Sequence, residues 1–104
     1  MSQAELAKYL QKADKAVQHA QEVRAYHRRR TERTSPQRAT DVRLAGEKLR
    51  EAMAPLRALR ARAPYTPMAA DDLKRVREAS ERLQRQRRKL HKMIPTPPKE
   101  TDTQ

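Results

Sequence analysis

The chain has 104 residues, of which 37% are charged, and it carries a net charge of +12 with a single Gly and no Cys. These totals limit it to one small domain, predict a helical and strongly solvated molecule, and exclude disulfide and thiolate chemistry. Because the chain has 16 Ala and lacks Phe and Trp, its core should be thin.

The first predicted helix covers residues 4–33. Apolar side chains recur along it at three- and four-residue spacing, which is typical of one helix face. This inward stripe comprises Leu6, Tyr9, Leu10, Ala13, Val17, Ala20 and Val23. Ser35 and Pro36 follow as an N-cap and a proline at the first helical position, so a second helix should begin at residue 36.

The second predicted helix covers residues 36–63 and the third covers residues 67–94. Pro55 removes a backbone donor inside the second helix and predicts a kink. Thr66 and Pro67 repeat the cap-and-proline pattern before the third helix. The stripe of the second helix comprises Val42, Ala45, Leu49, Ala52, Met53, Leu56, Leu59 and Ala63. The stripe of the third comprises Ala69, Leu73, Val76, Ser80, Leu83, Arg87, Leu90 and Ile94.

Three long, matched helices with short connections predict an all-α fold, an antiparallel up-down-up three-helix bundle. It should form a single domain over residues 1–94. Residues 95–104 form a polar segment that contains prolines, and they are predicted to be a disordered tail. A homodimer formed by opened or swapped helices would pack through the same apolar stripes, so it remains an alternative.

Positive charge is concentrated in two stretches, residues 24–43 with a net charge of +5 and residues 82–92 with +6. In an up-down-up bundle the end of the first helix, the start of the second and the end of the third meet at one end, which we call the basic pole. The residues predicted to bind nucleic acid there are Arg28, Arg29, Arg30, Arg33, Arg38, Arg43, Arg82, Arg85, Arg88, Lys89 and Lys92.

A helix macrodipole explains one or two cations at a helix end, but eleven net charges repel one another and indicate an acidic partner. The 17 Arg against 8 Lys favour phosphate, because guanidinium groups bind it through paired donors. We therefore expect a non-catalytic accessory or regulatory protein that binds the backbone of duplex DNA or structured RNA, largely independently of sequence.

The alternative is a protein-interaction module, an adaptor, regulator or assembly subunit that docks its basic pole on an acidic protein. Such a module should expose apolar side chains among its charges, and the candidates are Met53, Tyr65, Met68 and Met93. A membrane partner is disfavoured, because no apolar run reaches about 20 residues and the apolar faces are rich in Ala.

A second hypothesis concerns two arginines on inward stripes, Arg24 and Arg87. Each follows its helix start by about 20 residues, so both should lie roughly 30 Å along the bundle and face each other. They could form a phosphate-binding notch. The simpler interpretation is that both side chains reach water along their aliphatic stems.

No sequence pattern points to catalysis, a cofactor or a metal. The three histidines, His19, His27 and His91, lack metal-ligand spacing, and a single Gly excludes nucleotide-binding loops. The first residues lack the apolar run of a secretory signal, so a cytoplasmic location is expected.

Overall fold

The computed structural model describes residues 2–29, 36–63 and 68–93. It contains three helices, α1 over Gln3–Arg28, α2 over Pro36–Arg62 and α3 over Ala70–His91. Each helix packs against both others, and the described residues include no strand. The predicted all-α three-helix bundle is therefore confirmed.

Contacts between helices give their directions. His27 near the end of α1 lies 2.9 Å from Asp41 near the start of α2, so these two helices are antiparallel. Gln3 at the start of α1 donates to Asp72 at the start of α3 at 2.9 Å, so α1 and α3 run in the same direction. The end of α1, the start of α2 and the end of α3 consequently lie at the same end of the bundle.

The start of α1 has a capping box, in which two residues satisfy each other's backbone donors. Ser2 Oγ accepts from the Glu5 backbone N–H at 3.2 Å, and Glu5 Oε1 accepts from the Ser2 N–H at 3.3 Å. α2 continues as one helix through Pro55. α3 begins at Ala70, later than the predicted residue 67, and its N-cap Ala69 makes no side-chain cap.

Several predictions about loops and ends lie outside the described residues. These are the Ser35 and Thr66 caps, Ile94 and the tail over residues 95–104. The helices themselves end earlier than predicted, α1 at Arg28 instead of residue 33 and α3 at His91 instead of residue 94.

The core follows the predicted stripe of α2 closely, and every member except the half-buried Ala63 is buried. α1 contributes Leu6, Ala13, Ala16 and Ala20, with Tyr9, Leu10, Val17 and Val23 partly buried around them. The fully buried large side chains are Leu6, Leu49, Leu56, Leu83 and Val76. Because small Ala residues line much of the contact, the helices can approach one another closely.

The predicted stripe of α3 needs a correction at both ends. Arg87 is exposed, and Gln86 is buried in its place with 6% of its surface accessible. Near the start of the helix Asp72 is buried, whereas Leu73 is half-buried and Ala69 is exposed. Leu83 and Leu90 can be joined through residue 86 or through residue 87 with spacings of three and four, so periodicity alone permits either face.

Candidate nucleic-acid interface

A partly open pocket of about 260 Å³ lies at the basic pole, and we call it the pole pocket. Its lining comes from all three parts of the bundle that meet there. The lining residues are Arg24, Arg28, Arg38, Lys89, Lys92 and Met93. Both basic stretches of the sequence therefore contribute cations to one concave surface.

Two half-buried arginines in the pole pocket are held by uncharged acceptors. Arg24 Nη1 donates to Gln86 Oε1 at 3.1 Å, and Arg38 Nη2 donates to the Met93 carbonyl oxygen at 3.2 Å. These hydrogen bonds position the guanidinium groups without neutralising them. Arg38 Nε is also buried and has no hydrogen-bond partner among the described residues.

The other three cations of the pocket, Arg28, Lys89 and Lys92, are exposed. None of the five pocket cations forms an ion pair with a described carboxylate, and the lining itself contains no acidic residue. The pole pocket is thus a concave surface whose positive charge is not compensated by the described part of the chain.

Two other predicted binding residues do have carboxylate partners. Arg43 Nη1 lies 3.4 Å from Glu47 on the same helix. Arg82 Nη2 lies 3.2 Å from Asp14 on α1, although helix spacing pairs Arg82 with Glu78. Both pairs are largely exposed, so the attraction in each is screened by water and weak. Arg43 and Arg82 should therefore contribute less to an anion site than the pocket cations.

The remaining predicted residues are divided between exposed positions and the undescribed loop. Arg29, Arg85 and Arg88 are exposed, whereas Arg30 and Arg33 lie outside the described residues. The exposed cations lie on the end and one side of the bundle around the pole pocket.

The predicted notch between Arg24 and Arg87 needs a correction, because α3 turns a different residue towards α1. Arg87 points to solvent, and the residue that faces Arg24 is Gln86. Sequence reasoning thus placed Arg24 opposite the wrong residue of α3. It named Met93 as an exposed apolar candidate, whereas Met93 is half-buried and lines the pole pocket. The sequence signal that could have identified Gln86 is its spacing of three residues from Leu83 and four from Leu90.

Close to the pocket, His27 and Asp41 link α1 to α2. The imidazole is buried, with 3% of the residue exposed, and its Nε2 lies 2.9 Å from Asp41 Oδ2. Tyr26 packs edge-on against the same ring with centroids 4.8 Å apart. This contact holds the two helices together where the cations converge.

The opposite end of the bundle is organised around a carboxylate. Asp72 Oδ2 accepts from Gln3 Nε2 at 2.9 Å, and Arg75 of the same helix contacts the other carboxylate oxygen. The hydrogen bond from Gln3, reinforced by Arg75, lowers the pKa of Asp72 even though burial opposes the charged form. The charge of Asp72 is thus balanced by groups of the chain itself, whereas the cations of the pole pocket have no described carboxylate partner.

The predicted apolar docking candidates belong mostly to the core. Met53 is buried, and Met68 and Met93 pack against the core cluster, while Tyr65 lies outside the described residues. Among the described residues, the large apolar side chains that are exposed are Tyr26 and Leu44, with 44% and 42% of their surfaces accessible.

The described residues also lack the features of a metal centre and of a membrane span. Over residues 2–29, 36–63 and 68–93, no group of three or more His, Asp or Glu side chains is arranged to hold a metal ion. In the same ranges no helix combines the length and apolarity needed to cross a membrane.

Comparisons with protein-family models, with curated proteins and with solved structures find no match to this chain.

Proposed function

We propose that the protein is a non-catalytic nucleic-acid-binding protein that contacts the phosphate backbone of duplex DNA or structured RNA through its basic pole. The observation that supports this function is the convergence of five cations from two distant stretches on one pocket without a described carboxylate. When the cations of such a surface dock on nucleic acid, they displace the counterions condensed on its phosphates, and this release favours binding.

The arrangement favours backbone contacts over the reading of bases. The cations of the pole pocket lie near the ends of helices, whereas a reader of the major groove presents one helix side to the base edges. Stacking of single-stranded bases needs aromatic platforms. Of the Tyr residues in the described ranges, Tyr9 packs against the core and Tyr26 packs against His27. Specificity would therefore come from the shape of the nucleic acid or from another protein.

Salt dependence of binding is the direct test. If about six phosphates are contacted, log K against log salt should have a slope near −5 on B-DNA. A gel-shift series with duplex DNA, duplex RNA and single strands at several salt concentrations measures this slope and the preferred nucleic acid. A flat salt response, or no binding in low salt, would contradict the proposed function.

A matched pair of variants separates the basic pole from general positive charge. The pole variant Arg28→Gln/Lys89→Gln removes two exposed cations of the pocket, and the control Arg57→Gln/Arg60→Gln removes two exposed cations near the end of α2. Both variants have the same net charge. The pole variant should reduce the steepness of the salt slope by about 2, and the control should leave it nearly unchanged.

The second candidate function is docking of the basic pole on an acidic protein surface. It is supported by Tyr26 and Leu44, two exposed apolar side chains in the parts of α1 and α2 near the pole. A pull-down with and without nuclease distinguishes the two functions, because a protein partner should remain bound after the nucleic acid is digested.

A further inference from the structure

The pole pocket differs from the rest of the basic surface in its shape and in its partners. Exposed cations outside the pocket, such as Arg85 and Arg88, can each meet one phosphate of a nucleic-acid backbone. The pocket instead has five cations lining one volume of about 260 Å³. Small-molecule sites commonly occupy about 300–1,000 Å³, so this cavity suits a compact charged group better than a whole nucleotide.

Arg38 also keeps hydrogen-bonding capacity beside the pocket. It contributes one Nη2 donor to the Met93 carbonyl oxygen and makes no other hydrogen bond to a described residue, and its Nε is buried without a described partner. Leaving a buried donor of a charged group unsatisfied is costly. A small oxyanion that enters the pocket could accept from a guanidinium group through two of its donors, which is the geometry that phosphate favours.

The start of α2 adds a further positive contribution. A helix N-terminus carries partial positive charge and commonly has acidic residues in its first turn. The first turns of α1 and α3 contain Glu5 and Asp71 with Asp72, respectively. The first turn of α2 contains none, and Arg38 lies there instead. An external anion would therefore complement both the pocket cations and this helix end.

We infer that the pole pocket is a binding site for a phosphate group with two or more negative charges, such as a terminal phosphate monoester or a diphosphate. An internal phosphodiester has one charge, whereas a phosphate monoester carries about −1.5 to −2 at pH 7. Five cations that share one cavity favour the ligand with the greater charge in the smaller volume. This inference rests on the proposed function only in that the dianionic group could be the phosphorylated end of a nucleic acid.

Two ligands distinguish the sources of that group. Inorganic pyrophosphate tests the pocket alone and is titrated by calorimetry at low salt. Two otherwise identical duplexes, with a 5′-phosphate or a 5′-hydroxyl, test whether a nucleic-acid end supplies the group. Pyrophosphate should bind, and its affinity should fall about tenfold or more in Arg28→Gln/Lys89→Gln, since each lost charged hydrogen bond contributes at least that order of change. Arg57→Gln/Arg60→Gln should retain the wild-type affinity.

The outcomes separate this inference from the proposed function. A preference for the 5′-phosphorylated duplex that disappears in the pole variant supports the pocket and assigns its ligand to a nucleic-acid end. Binding of pyrophosphate without any duplex binding also supports the pocket, but contradicts the proposed function. If duplexes bind with a steep salt slope while pyrophosphate does not bind, or binds equally well to the pole and control variants, the pocket inference is overturned and the proposed function stands.

Folding of the variants is checked by circular dichroism. All four substituted side chains are exposed, so helix content should be retained. The charge-conserving variant Arg28→Lys provides a second measure, since it keeps the pocket charge and removes paired donation. It should bind pyrophosphate more weakly than the wild type and more tightly than Arg28→Gln. Equal affinity of Arg28→Lys and Arg28→Gln would contradict a charge-driven site.

Discussion

The hydrogen bond between Arg24 and Gln86 allows stability and binding to be separated. Arg24→Met retains an aliphatic side chain but removes the donor that lies 3.1 Å from Gln86 Oε1. Gln86 is only 6% exposed, so its oxygen would lose a partner inside the bundle. An unsatisfied buried acceptor costs about 1–3 kcal/mol, and we expect Arg24→Met to reduce the free energy of unfolding by that amount.

The reverse substitution should be milder. In Gln86→Leu the half-buried Arg24 can extend towards water along its aliphatic stem, so no charge is trapped. The double variant Arg24→Met/Gln86→Leu removes both polar partners, and replacing both partners by apolar groups of similar shape is close to neutral or stabilising. The double variant should therefore be at least as stable as the wild type.

Urea denaturation of the wild type, both single variants and the double variant gives the coupling free energy. We expect about 1.5–3 kcal/mol, the range for a hydrogen bond with a charged donor. The four proteins should have similar m-values, which indicates that the substitutions act on the folded state. A coupling below about 0.5 kcal/mol would mean that the two side chains act independently, and would refute the role assigned to this contact.

Binding should not recover together with stability. Arg24 lines the pole pocket, so both Arg24→Met and the double variant should bind duplex DNA more weakly than the wild type at the same salt concentration. If the double variant regained wild-type affinity, Arg24 would affect binding only through the fold.

Three substitutions elsewhere in the bundle give simpler expectations. Gly46→Ala should stabilise α2 by about 1 kcal/mol, because an added Cβ would meet nothing within 4 Å; a lower urea midpoint would contradict this. Leu83→Ala, at a fully buried position, should cost about 2–5 kcal/mol in the same assay, and a cost under 1 kcal/mol would contradict its place in the core. The pKa of Asp72 is lowered in the folded chain, so its contribution to stability should be present above about pH 4 and be lost as the pH falls through the folded value. When the free energy of unfolding is measured against pH, Asp72→Asn should reduce the loss of stability at acidic pH. If that loss were unchanged, it would arise from other carboxylates.

The helices were predictable because their apolar residues recur at spacings that only one type of element satisfies. In α2 the stripe from Val42 to Leu59 matches the buried face residue for residue. The buried face of α3 was harder to predict, because residues 86 and 87 both fit the helical spacing between Leu83 and Leu90. Gln86 is shorter than Arg87 and uncharged, so it can be buried against α1, where it accepts from Arg24.

The basic pole was predictable from topology, whereas the contacts within it were not. Three helices of alternating direction necessarily bring the two basic stretches to one end. Which cations acquire partners depends on the distances between helices. Arg82 contacts Asp14 across the bundle and not Glu78 on its own helix, while Arg38 reaches the Met93 carbonyl oxygen. No periodicity in one helix contains that information.

The two ends of the bundle use polar residues in opposite ways. At the start of α1 and α3, Ser2 and Glu5 satisfy each other's donors in the capping box, and Asp72 is held by Gln3 and Arg75. At the basic pole, Arg24 and Arg38 donate hydrogen bonds to uncharged oxygens, so their charge is not neutralised. Uncharged acceptors orient a cation without cancelling its field, which is what a preorganised anion site requires. Because like charges held together raise the free energy of the unliganded fold, an anion that neutralises them should stabilise the bundle as it binds.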